Sequence, residues 1–318
     1  MFHEINFKSV TSAGGQYSQN NSMSRRAWVT VLACMLMVLL FIGLNAQGLP
    51  GYAYFQRLLP EPVRIWTGSY WALITSAFLH QHLWHLALNV AGFWTWARPV
   101  ERAIGAGKMA LLLVSSAFVS SVTQLAMFDS TGIGASGMWY AVFGFGWLTR
   151  AQNPSLRGFF TTKALVIAMT WLLACLFILT HEIANGAHIG GLIFGVLAAE
   201  GFVRRKRARL AKIGLGIMCM ASAIIAAFCP WSPNWWAAMG YLVHVRGNYE
   251  LAADLYRTSL ELHQNNRWVM RNLVLAEIGA GQSGRANSTI TELKKLAPDE
   301  AAELEGRIGK ASMRDAGQ

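Results

Sequence analysis

Four polar side chains lie within apolar sequence, where a group that can ionise or hydrogen-bond is costly and calls for a reason. They are His85 and Asn89 in the run after Trp71, Ser136 in GASGMWYAVFGFGW (134–147), and His188 in AHIGGLIFG (187–195). A serine hydroxyl attacks a carbonyl only when a base takes its proton, and histidine is the usual base near neutral pH. Ser136 and His188 supply such a pair. His85 and Asn89 are four residues apart and share one helical face. There they can donate hydrogen bonds to the oxyanion of a tetrahedral intermediate, together with the backbone N–H of Ser136. The chemistry indicated is acyl transfer, with peptide hydrolysis as its simplest form.

Each residue alone has a plainer reading. A serine between glycines suits a helix cap or a packing notch, and a lone membrane histidine is commonly a hydrogen-bonded interior residue or part of a proton relay. His80, His82, His181 and His244 are assigned to loops and interfaces on sequence alone. His80, His85 and His188 form a metal site on paper. There is no HExxH and no carboxylate at that depth, so neither a metal nor another cofactor is expected. Gly137, Gly144, Gly191 and Gly195 have the small-residue spacing that lets membrane helices pack backbone to backbone. Tyr140, one turn beyond Ser136, is placed to stack on an imidazole.

Composition says what positions these residues. Of 318 residues, 54% are hydrophobic and 14% charged, a balance that belongs to a polytopic membrane protein. Seven apolar runs follow a polar, Ser/Asn/Gly-rich N-terminal tail: 27–46, 71–93, 108–128, 136–149, 164–181, 188–203 and 213–231. A start at Trp71 would bury His85 about 21 Å along its helix, so the membrane helix of that run is expected to begin near His82. Runs four and six are short, as suits helices that begin below the outer surface and face an internal cavity.

Residues 1–231 hold 17 Lys+Arg against 6 Asp+Glu, whereas 232–318 hold 10 of each, so the whole net charge of +11 lies in the hydrophobic part. The basic residues fall at Arg25 and Arg26, at Arg98, Arg102 and Lys108, at Arg150, Arg157 and Lys163, and in RRKRARLAK (204–212). The opposite connections hold only Arg57 and Arg64, with Glu61, Asp129 and Glu182. This positive-inside pattern puts the N-terminus in the cytoplasm and, after seven crossings, residues 232–318 outside it. No basic face survives on the polar part, which argues against nucleic acid as a partner. Cys34, Cys175, Cys219 and Cys229 all lie in apolar runs without CxxC spacing and read as small core residues.

The C-terminal part is different in kind. Trp236, Gly240, Ala252 and Tyr256 have the spacing of a tetratricopeptide repeat, with GNYE (247–250) as its turn. A copy shifted by 34 residues puts Ala286 and Pro298 in register but Val274 where a glycine belongs. So short an array rarely stands alone, so this part is expected to pack on the membrane domain or on a protein partner.

The joint pattern resembles the rhomboid intramembrane serine proteases. HQHLWHLALN (80–89), GASGMWYAVFG (134–144) and AHIGGLIFG (187–195) fall in family order on the second, fourth and sixth spans, and the resemblance covers roughly 28–205. It implies a Ser136–His188 dyad without an acidic third member, His85 and Asn89 in the oxyanion site, and an outward-opening, water-filled cavity. His80, Gly134, Gly137, Tyr140, Gly191 and Gly195 support that site. Trp71-Ala72 stands where many bacterial members carry Trp-Arg, and the seventh span and tail are additions that some members have.

The expected fold is therefore all-α: a membrane bundle of six rhomboid-like spans plus a seventh, then a small helical-hairpin repeat domain. Its expected divisions are a disordered cytoplasmic tail (1–26), the protease core (27–205), a basic linker with the seventh span (206–231) and the repeat-like domain (232–318). The expected function is an endopeptidase for transmembrane or juxtamembrane segments of other membrane proteins, working in a bacterial plasma membrane. A catalytically silent relative that binds membrane clients is the alternative. A transporter is disfavoured by the lack of an intramembrane carboxylate and of repeated spans.

Overall fold

The computed structural model describes residues 26–46, 61–179, 183–204 and 207–315, with side chains to residue 307. The N-terminal tail before Arg26, Arg57, His181 and Glu182 lie outside the described residues. Among the described residues the chain is helical, with no strand. It divides into two compact units, residues 1–59 with 72–223 and residues 60–71 with 224–318. The dividing points lie after residues 59, 71 and 223. One falls within a helix, and a piece of the first inter-span connection joins the C-terminal unit.

The first unit is a helix bundle. Its helices are α1 (Trp28–Asn45), a short α3 (Ala72–Thr75), α4 (Leu83–Gly92), α5 (Arg98–Ile104), α6 (Ala106–Phe128), α7 (Ser136–Thr149), α8 (Thr162–Phe177), α9 (Asn185–Ala199) and α10 (Ala208–Ala227), whose last residues belong to the second unit. A π-helical turn, Phe93–Ala97, joins α4 to α5, and another, Glu200–Arg204, continues α9. α1, α6, α9 with its continuation, and α10 are long and apolar enough to cross a membrane. Leu39, Leu111, Ile167, Phe177 and Ile217 stand more than half exposed. In a multi-pass membrane protein such positions meet lipid rather than water. The second run starts its membrane helix at Leu83, because residues 72–78 form a separate turn.

The packing that fixes the site lies between α6, α7 and α9. A β-carbon on Gly195 would stand 1.9 Å from the Ala141 carbonyl oxygen, and one on Gly191 would stand 2.0 Å from that of Gly137. Side chains at these two positions would force the helices apart, so glycine is required for the approach. Gly144 faces the Leu192 carbonyl, with a would-be β-carbon at 3.0 Å.

The N-terminus of α1 is closed from a distance. The buried carboxylate of Glu101, in α5, accepts Val29 N–H at 2.9 Å, Thr30 N–H at 2.7 Å and the Thr30 hydroxyl at 2.6 Å. These satisfy donors that have no intrahelical partner, and the negative charge suits the helix's positive end.

The second unit contains α2 (Pro62–Trp66) and the hairpin helices α11 (Pro233–His244), α12 (Tyr249–Leu262), α13 (Arg267–Gly279), α14 (Ser283–Leu296) and α15 (Pro298–Asp315). Side-chain caps start three of them: Ser232 accepts Trp235 N–H, Asn248 accepts Leu251 N–H, and Asn266 accepts Val269 N–H. In the first hairpin Gly240 leaves room for the Tyr256 ring, which a β-carbon would meet at 2.9 Å. In the second, Val274 stands 34 residues beyond Gly240 and Ile290 stands 34 beyond the larger Tyr256, and the two share a buried cluster. The larger residue on one helix is thus matched by a smaller one on its neighbour. α2 packs against α11, and its Val63, Ile65 and Trp66 are buried.

Candidate active site

Ser136 opens α7 and His188 lies in the first turn of α9. The Ser136 hydroxyl and His188 Nε2 stand 2.8 Å apart, a hydrogen bond in which the serine donates when the proton of the neutral imidazole is on Nδ1. His188 is buried, and its Nδ1 has no hydrogen-bond partner among the described residues. The Tyr140 ring lies against the imidazole at 4.8 Å, tilted by 43° rather than stacked parallel, and the Tyr140 hydroxyl donates to the Ala168 carbonyl at 3.1 Å. That bond ties the ring under His188 to α8.

The loop before Ser136 explains Gly134. Its φ of +95° is a region L side chains rarely adopt, and a β-carbon there would lie 2.4 Å from the His85 ring and 3.5 Å from Asn89 Nδ2. Its N–H donates to the Ser76 carbonyl at 3.1 Å, which fastens the loop to the turn preceding α4. The structure therefore gathers His85 and Asn89 around the loop that leads to Ser136. Asn89 Nδ2 uses one of its hydrogens on the His85 carbonyl at 3.0 Å, four residues back. His80, placed in a loop on sequence, is buried behind His85 with ring centroids 5.0 Å apart, and its Nδ1 lies 3.3 Å from the Phe78 carbonyl oxygen.

Ser136, His188, His85, Asn89 and Tyr140 all line one cavity of about 1160 Å³. Its walls run along α4 past Leu88 and Gly92 and along α8 past Ile167 and Trp171. Trp139, three residues after Ser136, covers Gly92 so closely that a β-carbon there would meet the indole Nε1 at 1.9 Å. Among the described residues no group of three or more His, Cys, Asp or Glu could hold a metal ion.

Sequence reasoning missed the residue that locks the His188 end in place. Gln124, buried near the C-terminal end of α6, accepts Gly186 N–H through Oε1 at 2.9 Å and donates through Nε2 to the Ser130 hydroxyl at 2.8 Å. Asn185 adds a second tie, donating to the Cys175 carbonyl in α8 at 3.0 Å. Gln124 was visible as a lone amide inside an apolar run, the same signal that marked Asn89.

An all-helical membrane bundle with a serine and a histidine bonded over an internal cavity defines the class of protein. Residues 67–205 match the family model described as the rhomboid domain. The chain is similar to the rhomboid protease GlpG of Serratia proteamaculans (strain 568), 37% identical over 171 residues that cover 50% of this chain and 61% of that protein. It is similar to the GlpG of Pectobacterium atrosepticum, 31% identical over 186 residues covering 58% and 66% of the two chains. It is 32% identical to the GlpG of Salmonella newport over 174 residues, covering 54% and 61%. The chain thus spans less than two thirds of the length of these relatives.

Proposed function

We propose that this protein is an intramembrane serine endopeptidase that cleaves transmembrane or juxtamembrane segments of other membrane proteins. The observation that carries the reading is the 2.8 Å contact between Ser136 Oγ and His188 Nε2 at the wall of a large cavity in a membrane bundle. His188 removes the serine proton as Oγ attacks the scissile carbonyl, then donates it to the leaving amine, and water hydrolyses the acyl-enzyme. Tyr140 holds the imidazole in place, a task an acidic third residue performs in other serine hydrolases.

The oxyanion falls at the N-terminus of α7. The N–H groups of Ser136 and Gly137 belong to its first turn, which has no intrahelical acceptors for them, and the helix dipole favours negative charge there. The second amide hydrogen of Asn89 and the ring of His85 face the same place across Gly134. A peptide bond in a regular helix is closed to attack, so substrates carry locally unwound, small-residue segments near the outer surface. α8 and the described part of the 181–187 loop form the gate that admits them.

For topology we adopt a cytoplasmic N-terminus, seven crossings and an extracytoplasmic C-terminal unit in a bacterial inner membrane. The grouping of residues 60–71 with 224–318 supports this, since 60–71 connect the first two spans. The paired helices α11–α12 and α13–α14 read as tetratricopeptide-like repeats that recruit a protein partner or client. Cleavage of a transmembrane substrate panel in proteoliposomes tests the activity, and a serine-directed fluorophosphonate tests the nucleophile by labelling Ser136. A label on another serine would refute that residue assignment.

A further inference from the structure

At the end of the bundle opposite Ser136 and His188, three arginines from separate segments line one pocket. Arg150 follows α7, Arg157 follows the turn Pro154–Leu156, and Arg204 ends the π-turn after α9; Trp147, Leu148 and Ala151 complete a wall of about 470 Å³. None of the lining residues is acidic.

The arginines also have a structural task. Arg150 donates to the Trp147 carbonyl, and Arg157 donates through Nε to the Arg150 carbonyl at 3.3 Å and through Nη2 to the Ala151 carbonyl at 3.1 Å. These bonds neutralise the open carbonyls at the end of α7. They use only part of the five donors each guanidinium carries. They also fix both groups, with the Arg150 guanidinium carbon 3.3 Å from the centroid of the Trp147 ring. Among the described residues Arg204 makes no hydrogen bond through Nε, and its ion-pair partner is Glu200 at 3.5 Å. The other oxygen of Glu200 accepts Arg207 N–H at 3.0 Å. Among the described residues one carboxylate thus stands against three cations, two of them fixed by hydrogen bonds.

We propose that this pocket binds the phosphate group of an anionic membrane lipid. Planar guanidiniums are matched to phosphate oxygens, the site lies on the basic side of the bundle, and anionic headgroups occupy that side of a bacterial inner membrane. Exposed Phe202 and Phe159 beside the arginines in sequence offer apolar surface to acyl chains. The proposal is independent of any catalytic role for Ser136.

The test uses the full-length protein, delipidated in detergent and then titrated with phosphatidylglycerol, phosphatidylcholine or inorganic phosphate. Bound lipid is read by native mass spectrometry and stability by the melting midpoint. The expected result is retention of phosphatidylglycerol but not phosphatidylcholine, competed by inorganic phosphate. Arg204→Gln, which removes no hydrogen bond, should weaken retention about fivefold, and Arg157→Gln/Arg204→Gln further. Arg98→Gln, which removes a cation elsewhere on the basic side, should leave retention unchanged. Equal retention of the two lipids by the wild-type protein would overturn the proposal. So would unaltered phosphatidylglycerol retention in Arg204→Gln, and a shift with inorganic phosphate that phosphatidylglycerol fails to reproduce would rule out the lipid as its source.

Discussion

A β-carbon on Gly191 would stand 2.0 Å from the carbonyl oxygen of Gly137, one residue past Ser136 and three past His188. The serine–histidine distance is therefore set by backbone contact between α7 and α9. Gly191→Val should push the helices apart, costing about 1–3 kcal/mol of stability and, through misplacement of the imidazole by about 1 Å, about 100-fold in cleavage rate. Gly43→Ala in α1 is the control, because nothing lies within 4 Å of its would-be β-carbon. Melting midpoints and initial rates on one substrate measure both effects, and a Gly191→Val enzyme with wild-type activity would show that the contact does not set the site.

Glu101→Ala should strip the N-terminus of α1 of its acceptor and cost about 2 kcal/mol. Thr30→Val, which removes the hydroxyl but spares both backbone donors, should cost less. Thermal melts of the two variants in detergent give the order, and an Ala variant as stable as wild type would contradict the cap.

In the C-terminal unit, Glu277 is buried and accepts from Arg257 at 2.8 Å and from the Thr289 hydroxyl at 2.8 Å. Arg257→Ala would leave a buried carboxylate without its cation and should cost about 3 kcal/mol. Replacing both residues with Met should cost less than the single change. Hydrogen exchange of peptides from α12, α13 and α14 reports the loss where it occurs.

Burial holds the His244 pKa below the ordinary imidazole value of 6.5, with the Tyr256 hydroxyl 3.4 Å from its Nδ1 and the Tyr249 ring beside it. Its folded-state pKa is depressed, so the unfolded chain binds the proton more readily. Its contribution to stability is therefore complete above that value and is lost as the pH falls below it. Exchange protection in α11 and α12, corrected for the intrinsic pH dependence of the amide exchange rate, should fall on going from pH 7.5 to pH 5, and His244→Gln should flatten that dependence.

Much of the arrangement was readable because it follows one period. Ser136, Gly137 and Tyr140 fall within one turn of α7, and His188, Gly191 and Gly195 form a stripe on α9, so spacing alone put them on shared faces. The start of α4 near His82 followed from the cost of burying His85 too deep. Contacts between distant segments had no such signal. Glu101 caps a helix 71 residues away from it at Thr30, and a carboxylate in ERAIG reads as a solvated charge. α2 is a five-residue helix in a loop, too short for a periodic pattern, and its place against α11 is decided by the burial of Val63, Ile65 and Trp66. The arginine pocket joins three connections whose charges, read in sequence, indicated only membrane orientation.

If Ser136 and His188 act as one nucleophilic unit, as proposed, initial rates in proteoliposomes reveal it. Wild type, Ser136→Ala, His188→Ala and the double variant are compared on the same transmembrane substrates, with folding checked by melting midpoint. Each single variant should lose cleavage by at least about 10³-fold, and the double variant should lose no more than either alone, because neither residue works without the other. Cleavage by folded Ser136→Ala or His188→Ala at the wild-type rate would show that the two residues are not the nucleophilic unit.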